Sequence, residues 1–168
     1  MQNSDYSGET RCWVFGSSQP LLVQNSVLET RLTRFFSQWQ SHGIPVAGRW
    51  RILYERFLVI LREPEGAEVS GCSIDSMVGE VKILETELQT SLLDSSRIFF
   101  RNEAGAMEAV SRLEFKALAA AGSINPDTEV FDTLLTRLSD MEVGIFSKPL
   151  RESWHLRIYE QARKQVPA

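Results

Sequence analysis

Two apolar stripes at helical spacing constrain this chain more than any other feature. Leu28, Leu32, Phe35 and Trp39 recur along one side of a helix. Ile74, Met77, Val78, Val81, Leu84 and Leu88 do the same along a second. Each stripe needs a partner layer to bury it, and the segments around them read as strands. Arg11 to Gly16 is aromatic and β-branched before a Gly-Ser-Ser break. Trp50 to Tyr54 and Phe57 to Leu61 flank Glu55-Arg56. They read as one bent strand, a bulged strand or a very tight hairpin, and the hairpin is favoured. Arg97 to Arg101, with Ile98-Phe99-Phe100 inside it, is a further strand.

Local signals set the expected boundaries. Ser26-Val-Leu-Glu29 has the form of a capping box, and Gly43 and Pro45 follow the first helix, expected over 26–40. Ser73 is the expected N-cap of the second helix, 73–91, with Asp75 in its first turn. Three more helices are predicted: Ala104 to Ala121, stopped by Gly122; one after Asn125-Pro126 with Val130, Phe131, Leu134, Leu135 and Leu138 on its apolar face; and a last one opened by Pro149. The order strand, helix, strand, strand, helix, strand is that of a ferredoxin-like β-α-β-β-α-β core. The expectation is an α+β fold with a flexible start at 1–10 and one domain over 11–165. That domain divides into a core, 11–102, and a C-terminal helical extension, 104–165.

Length and charge narrow the function classes. The 168 residues carry 18 basic and 22 acidic side chains, a net charge of −4, so no nucleic-acid partner is expected. Residues 1–62 hold seven basic and four acidic groups, a net +3; residues 63–168 hold 11 and 18, a net −7. The arginine-rich first half suits an anionic ligand, since guanidinium pairs with carboxylate or phosphate in a bidentate way. The longest apolar runs, Phe57 to Leu61 and Ala117 to Ala121, have five residues each, where a membrane span needs about 20. No membrane partner is expected. Cys12 and Cys72 are too few for a disulfide framework, and a soluble cytoplasmic protein with reduced thiols is the simplest reading. No Walker A loop, G-x-G-x-x-G, C-x-x-C or G-x-S-x-G occurs. No metal site and no cofactor is expected.

One polar constellation remains. Cys72 lies in Ser70-Gly71-Cys72-Ser73-Ile74-Asp75 at a helix start, where free amides favour a thiolate. His42 or His155 could serve as its base, and Asp75 could orient the imidazole. Gly71 would permit close approach of a ligand. A bland alternative stands beside this: Ser73 caps, Gly71 turns, and Cys72 fills space in the core. Arg56 is expected to pair with a carboxylate, Asp75 first, or to point into a pocket, because a buried unpaired guanidinium is costly.

At these residues the chain resembles a bacterial protein family marked by the Ser-Gly-Cys-Ser-Ile-Asp segment. The resemblance also rests on Trp13-Val14-Phe15, Trp39 to Gly43, Tyr54 to Leu58, Asp94 to Arg97, Thr128 to Phe131 and Ser153-Trp154-His155, and covers about residues 12–157. Some members carry the label "ABC transporter ATPase", which the missing phosphate loop does not support. The resemblance implies a shape and a site but no reaction. The leading expectation is therefore a binding or regulatory module. Its pocket would gather His42, Arg56, Gly71, Cys72, Ser73, Asp75, Trp154 and His155 around a small anionic ligand or a protein partner. The alternative is an enzyme with Cys72 as nucleophile. The oligomeric state is not legible.

Overall fold

The computed structural model describes residues 10–22, 25–142 and 145–164. The expected flexible start therefore lies outside the described residues, Thr10 apart, as does residue 165. The first strand, β1, spans Cys12–Gly16, and helix α1 spans Ser26–Gln38. Asn25, one residue before the expected cap, accepts from the amides of Val27 and Leu28. A short β2 (Gln40–Ser41) turns back into β3 (Ile44–Leu53), which pairs with β4 (Phe57–Gly66). Helix α2 is Gly71–Leu88.

These strands form an antiparallel sheet in the order β1-β4-β3-β2. Strands β1 and β3 are parallel to each other with β4 between them, and the chain from β1 to β3 passes through α1. That is the split β-α-β part of the expected topology. Both helices cover one face of the sheet: Leu28 and Leu32 from α1 and Met77, Val81 and Leu84 from α2 bury against Leu58 and Ile60.

The fourth strand departs from expectation. Strand β5 (Ile98–Arg101) does not join β1; it lies in a second antiparallel sheet, order β6-β5-β7-β8. The free edge of β1 is met instead by residues 136–138, where Cys12 N donates to Thr136 O at 2.9 Å and Leu138 N to Thr10 O at 2.9 Å. The physical reason is in β4. Phe57 to Leu61 are all buried, so both faces of the strand need cover. In a two-layer ferredoxin-like fold Phe57, Val59 and Leu61 would face water, at roughly 1.5–3 kcal/mol of lost burial for each large side chain. Here they pack against Phe99, Phe131 and Phe146. Strand β5 alternates in the same way, with Phe99 between the sheets and Ile98 and Phe100 turned to a second helix layer. The result is four layers: helices, sheet, sheet, helices.

The expected C-terminal helical extension is corrected accordingly. Residues 104–110 form a turn at Gly105 (φ +78°) and strand β6 (Met107–Val110); only Arg112–Ala121, α3, is helical. The helix expected after Asn125-Pro126 is strand β7 (Glu129–Phe131), followed by a short α4 (Ser139–Glu142). Pro149 ends strand β8 (Ser147–Pro149), and after a 3-10 turn at Leu150–Glu152 the last helix, α5, is Leu156–Arg163.

The favoured hairpin reading is correct: Leu53 pairs with Phe57 across a three-residue turn, Tyr54-Glu55-Arg56. Tyr54 and Glu55 hold φ of +51° and +54°, which costs about 1–2 kcal/mol for each non-glycine residue. Contacts offset that cost. The Tyr54 ring packs edge-on against Phe57 and Phe131, and Glu55 O accepts from Leu21 N at 2.6 Å.

Candidate functional site

Arg56, inside that turn, meets neither Asp75 nor any other carboxylate at ion-pair distance among the described residues. Its Nη1 donates to Ser18 O at 2.8 Å and its Nη2 to Met107 O at 3.2 Å. Burial lowers its pKa, and the charge of Glu108 opposes that. The guanidinium thus ties the first sheet's hairpin to β6 of the second, a structural clamp in place of the expected ligand contact.

Cys72 stands in the first turn of α2, and its side chain is exposed. The cap is Ser70, not Ser73. Ser73 occupies the third helical position and closes a reciprocal box: Ser70 N donates to Ser73 Oγ at 2.8 Å and Ser73 N to Ser70 Oγ at 3.3 Å. Gly71 is exposed with open space at its missing side chain. Asp75 is exposed and lies beyond the first turn. Trp39, buried, donates from Nε1 to Ser73 O at 2.8 Å and so pins the entry to β2 beside the start of α2. His42 does not end a helix. With Gly43 it forms the two-residue turn between β2 and β3, and both have positive φ (+52° and +79°), as a type I′ turn requires. No hydrogen bond joins His42 to Cys72 among the described residues.

His155 and Trp154 lie elsewhere. They precede α5, in the outer layer of the second sheet, whereas Cys72 is in the outer layer of the first. The expected pocket therefore divides, with both sheets between its halves. Within the C-terminal half Trp154 is 43% exposed and His155 is 2% exposed. The imidazole stacks on the indole, with ring centres 3.7 Å apart and planes 25° apart. Its Nδ1 shares a hydrogen bond of 2.6 Å with Ser153 Oγ. Burial pushes the His155 pKa down to about 4; Asp132 opposes this, while Lys148 and Arg112 add to it. An imidazole so depressed is neutral at pH 7 and a weak base.

Trp154 and Ser153 line a cavity of about 570 Å³ with Arg112, Leu156, Arg157, Ile158, Glu160 and Gln161. The local sequence explains its walls. Ser111 caps α3 by accepting from Glu114 N, so Arg112 opens that helix at its exposed end. Along α5, Ile158 and Ala162 turn into the core with Leu150, which leaves Arg157, Glu160 and Gln161 on the outer face. The guanidinium groups of Arg112 and Arg157 form no hydrogen bond or ion pair among the described residues, with Glu160 or any other. Ser153-Trp154-His155 was visible as a cluster in the sequence; Arg112 was not, because it arrives from a helix forty residues earlier.

No group of three or more His, Cys, Asp or Glu side chains able to hold a metal occurs among the described residues. No helix among them is long and apolar enough to cross a membrane. No protein-family description, curated protein or solved structure matches the chain.

Proposed function

We propose that the protein is a small binding module that takes an anionic ligand in the pocket between α3 and α5. One observation carries the reading: two guanidinium groups without partners among the described residues, Arg112 and Arg157, line the same cavity beside an exposed indole. Its volume, about 570 Å³, lies within the range of small-molecule sites, roughly 300–1,000 Å³. Guanidinium is suited to bidentate capture of phosphate or carboxylate.

The thiol-enzyme alternative has less support. A nucleophilic Cys72 needs an imidazole within about 2.6–3.2 Å or one water away, and His155 is in the opposite outer layer. Membership of the Ser-Gly-Cys-Ser-Ile-Asp family and a cytoplasmic setting belong to the proposal too. The first rests on the residues quoted above, the second on two free thiols.

Calorimetric titration with inorganic phosphate tests the reading. Wild-type protein binds phosphate, and joint Arg112→Gln and Arg157→Gln replacement weakens binding about tenfold or more, while Cys72→Ser leaves it unchanged. Equal binding by the arginine variant, or none by the wild type, overturns it.

A further inference from the structure

We infer that the ligand of the α3–α5 pocket is a planar aromatic anion, its ring laid on Trp154 and its charge held by Arg112 and Arg157. This rests on the anion-binding reading and adds the chemistry of the rest of the ligand. A tryptophan of this size is ordinarily well buried, yet Trp154 leaves 43% of its surface in solvent. One of its faces is already occupied: the His155 ring stacks on it, tilted by 25°, with ring centres 3.7 Å apart. That imidazole is fixed in turn by Ser153 Oγ at 2.6 Å, so the indole is backed by a rigid, buried plane. A side chain held this way loses little freedom when a ligand arrives, the condition under which a single stacking contact contributes most.

The polar groups around the ring complete the match. Arg112 comes from the start of α3 and Arg157 from the outer face of α5, so a charge beside the ring meets donors from two elements. A bare inorganic anion would use the guanidinium groups and leave the indole exposed. Glu160 and Gln161 line the same cavity, one helical turn beyond Arg157 on α5. A carboxylate there repels a second anionic group and accepts from an N–H or O–H on the ring edge. The pocket therefore fits one flat ring bearing one anionic group and an N–H or O–H donor. Two sources supply that chemistry: a nucleoside phosphate and an aromatic carboxylate or phosphate.

The experiment is a set of calorimetric titrations of the full chain with inorganic phosphate, phenyl phosphate, benzoate and adenosine monophosphate. The same probes are applied to Trp154→Phe and Trp154→Ala, with the unfolding midpoint of each variant measured alongside. Phenyl phosphate or adenosine monophosphate binding at least about tenfold more tightly than inorganic phosphate is expected, from one ring-on-ring contact. Trp154→Ala then removes that advantage while phosphate binding persists, and Trp154→Phe restores part of it. The nucleotide exceeding phenyl phosphate assigns the ring to a base; benzoate matching phenyl phosphate assigns the site to aromatic carboxylates. If all ring-bearing probes bind no better than inorganic phosphate, this inference is overturned and the anion pocket stands. If the advantage survives Trp154→Ala in a folded variant, it is overturned as well. If inorganic phosphate and every other probe fail to bind, both readings fall together.

Discussion

Gly16 and Phe99 offer a direct test of the face-to-face sheet packing. Gly16 is the last residue of β1 and pairs with Phe57; Phe99 is in β5 of the other sheet. A methyl group added at Gly16 would stand 2.4 Å from both Cε2 and Cζ of Phe99 and 3.2 Å from Cε1. The ring has little room to retreat, since its centre is 5.0 Å from that of Phe57 in a fully buried cluster. Overpacking of this kind costs typically about 1–3 kcal/mol. Without the ring the sign reverses, because alanine in a strand is better than glycine by roughly 0.5–1 kcal/mol. Phe99→Leu removes the three ring atoms in question and keeps an apolar side chain. Gly16→Ala should then destabilise the wild type by about 1–3 kcal/mol and be neutral or stabilising in the Phe99→Leu background. Urea unfolding of the four proteins gives the coupling energy, expected between about 1 and 4 kcal/mol, of the size seen for residues in contact. Additive effects within about 0.5 kcal/mol would refute the packing of β1 against β5, and with it the four-layer arrangement.

Two further outcomes follow from burial. Iodoacetamide at pH 8 should alkylate exposed Cys72 in the native protein and reach Cys12 only after unfolding, because Cys12 is fully buried and burial, with Asp140 adding and Arg51 opposing, pushes its pKa up to about 11; mass spectrometry of native and denatured samples decides, and rapid native labelling of Cys12 would contradict its placement between the sheets. His155 makes stability fall as pH drops from about 6.5 to about 4, since the unfolded chain takes up a proton across that window while the folded site resists it; the loss is of order 3 kcal/mol, read as the difference between wild-type and His155→Gln unfolding curves across pH, and parallel curves would show that the imidazole is not held neutral.

Much of the first half was legible because its signals were long and regular. The stripes on α1 and α2 survived folding, with caps displaced by one residue at Asn25 and three at Ser70. Cys72, expected just ahead of the helix, falls inside its first turn because the cap is Ser70. The second half failed where elements are short. Val130 and Phe131 looked like successive members of a helical stripe, yet they alternate across β7, one toward α3 and α5 and the other between the sheets. Leu134, the next apparent member, is exposed at 60%. A three-residue strand carries too few residues for its period to show against a chance helical match. The cover over β4 was visible in principle: five consecutive apolar residues, Phe57 to Leu61, argue for burial on both faces. The site was hidden for another reason. Spacing in sequence set Cys72 and His155 in one constellation, whereas their two sheets set them apart, and it kept Arg112 from Arg157, which α3 and α5 bring to one cavity.

The two halves of the sandwich are also two consecutive stretches of chain. Strands β1 to β4 with α1 and α2 are finished by Leu88, and the aromatic residues that cover their open face extend to Phe146. On a ribosome adding about 5–20 residues per second, roughly sixty more residues take about 3–12 s to arrive. For that interval the first sheet presents Phe57, Val59 and Leu61 to solvent or to a chaperone, as a half-built protein with a sticky side. Only when Arg56 and Phe99 have found their places across the gap does the nascent chain become safe to release.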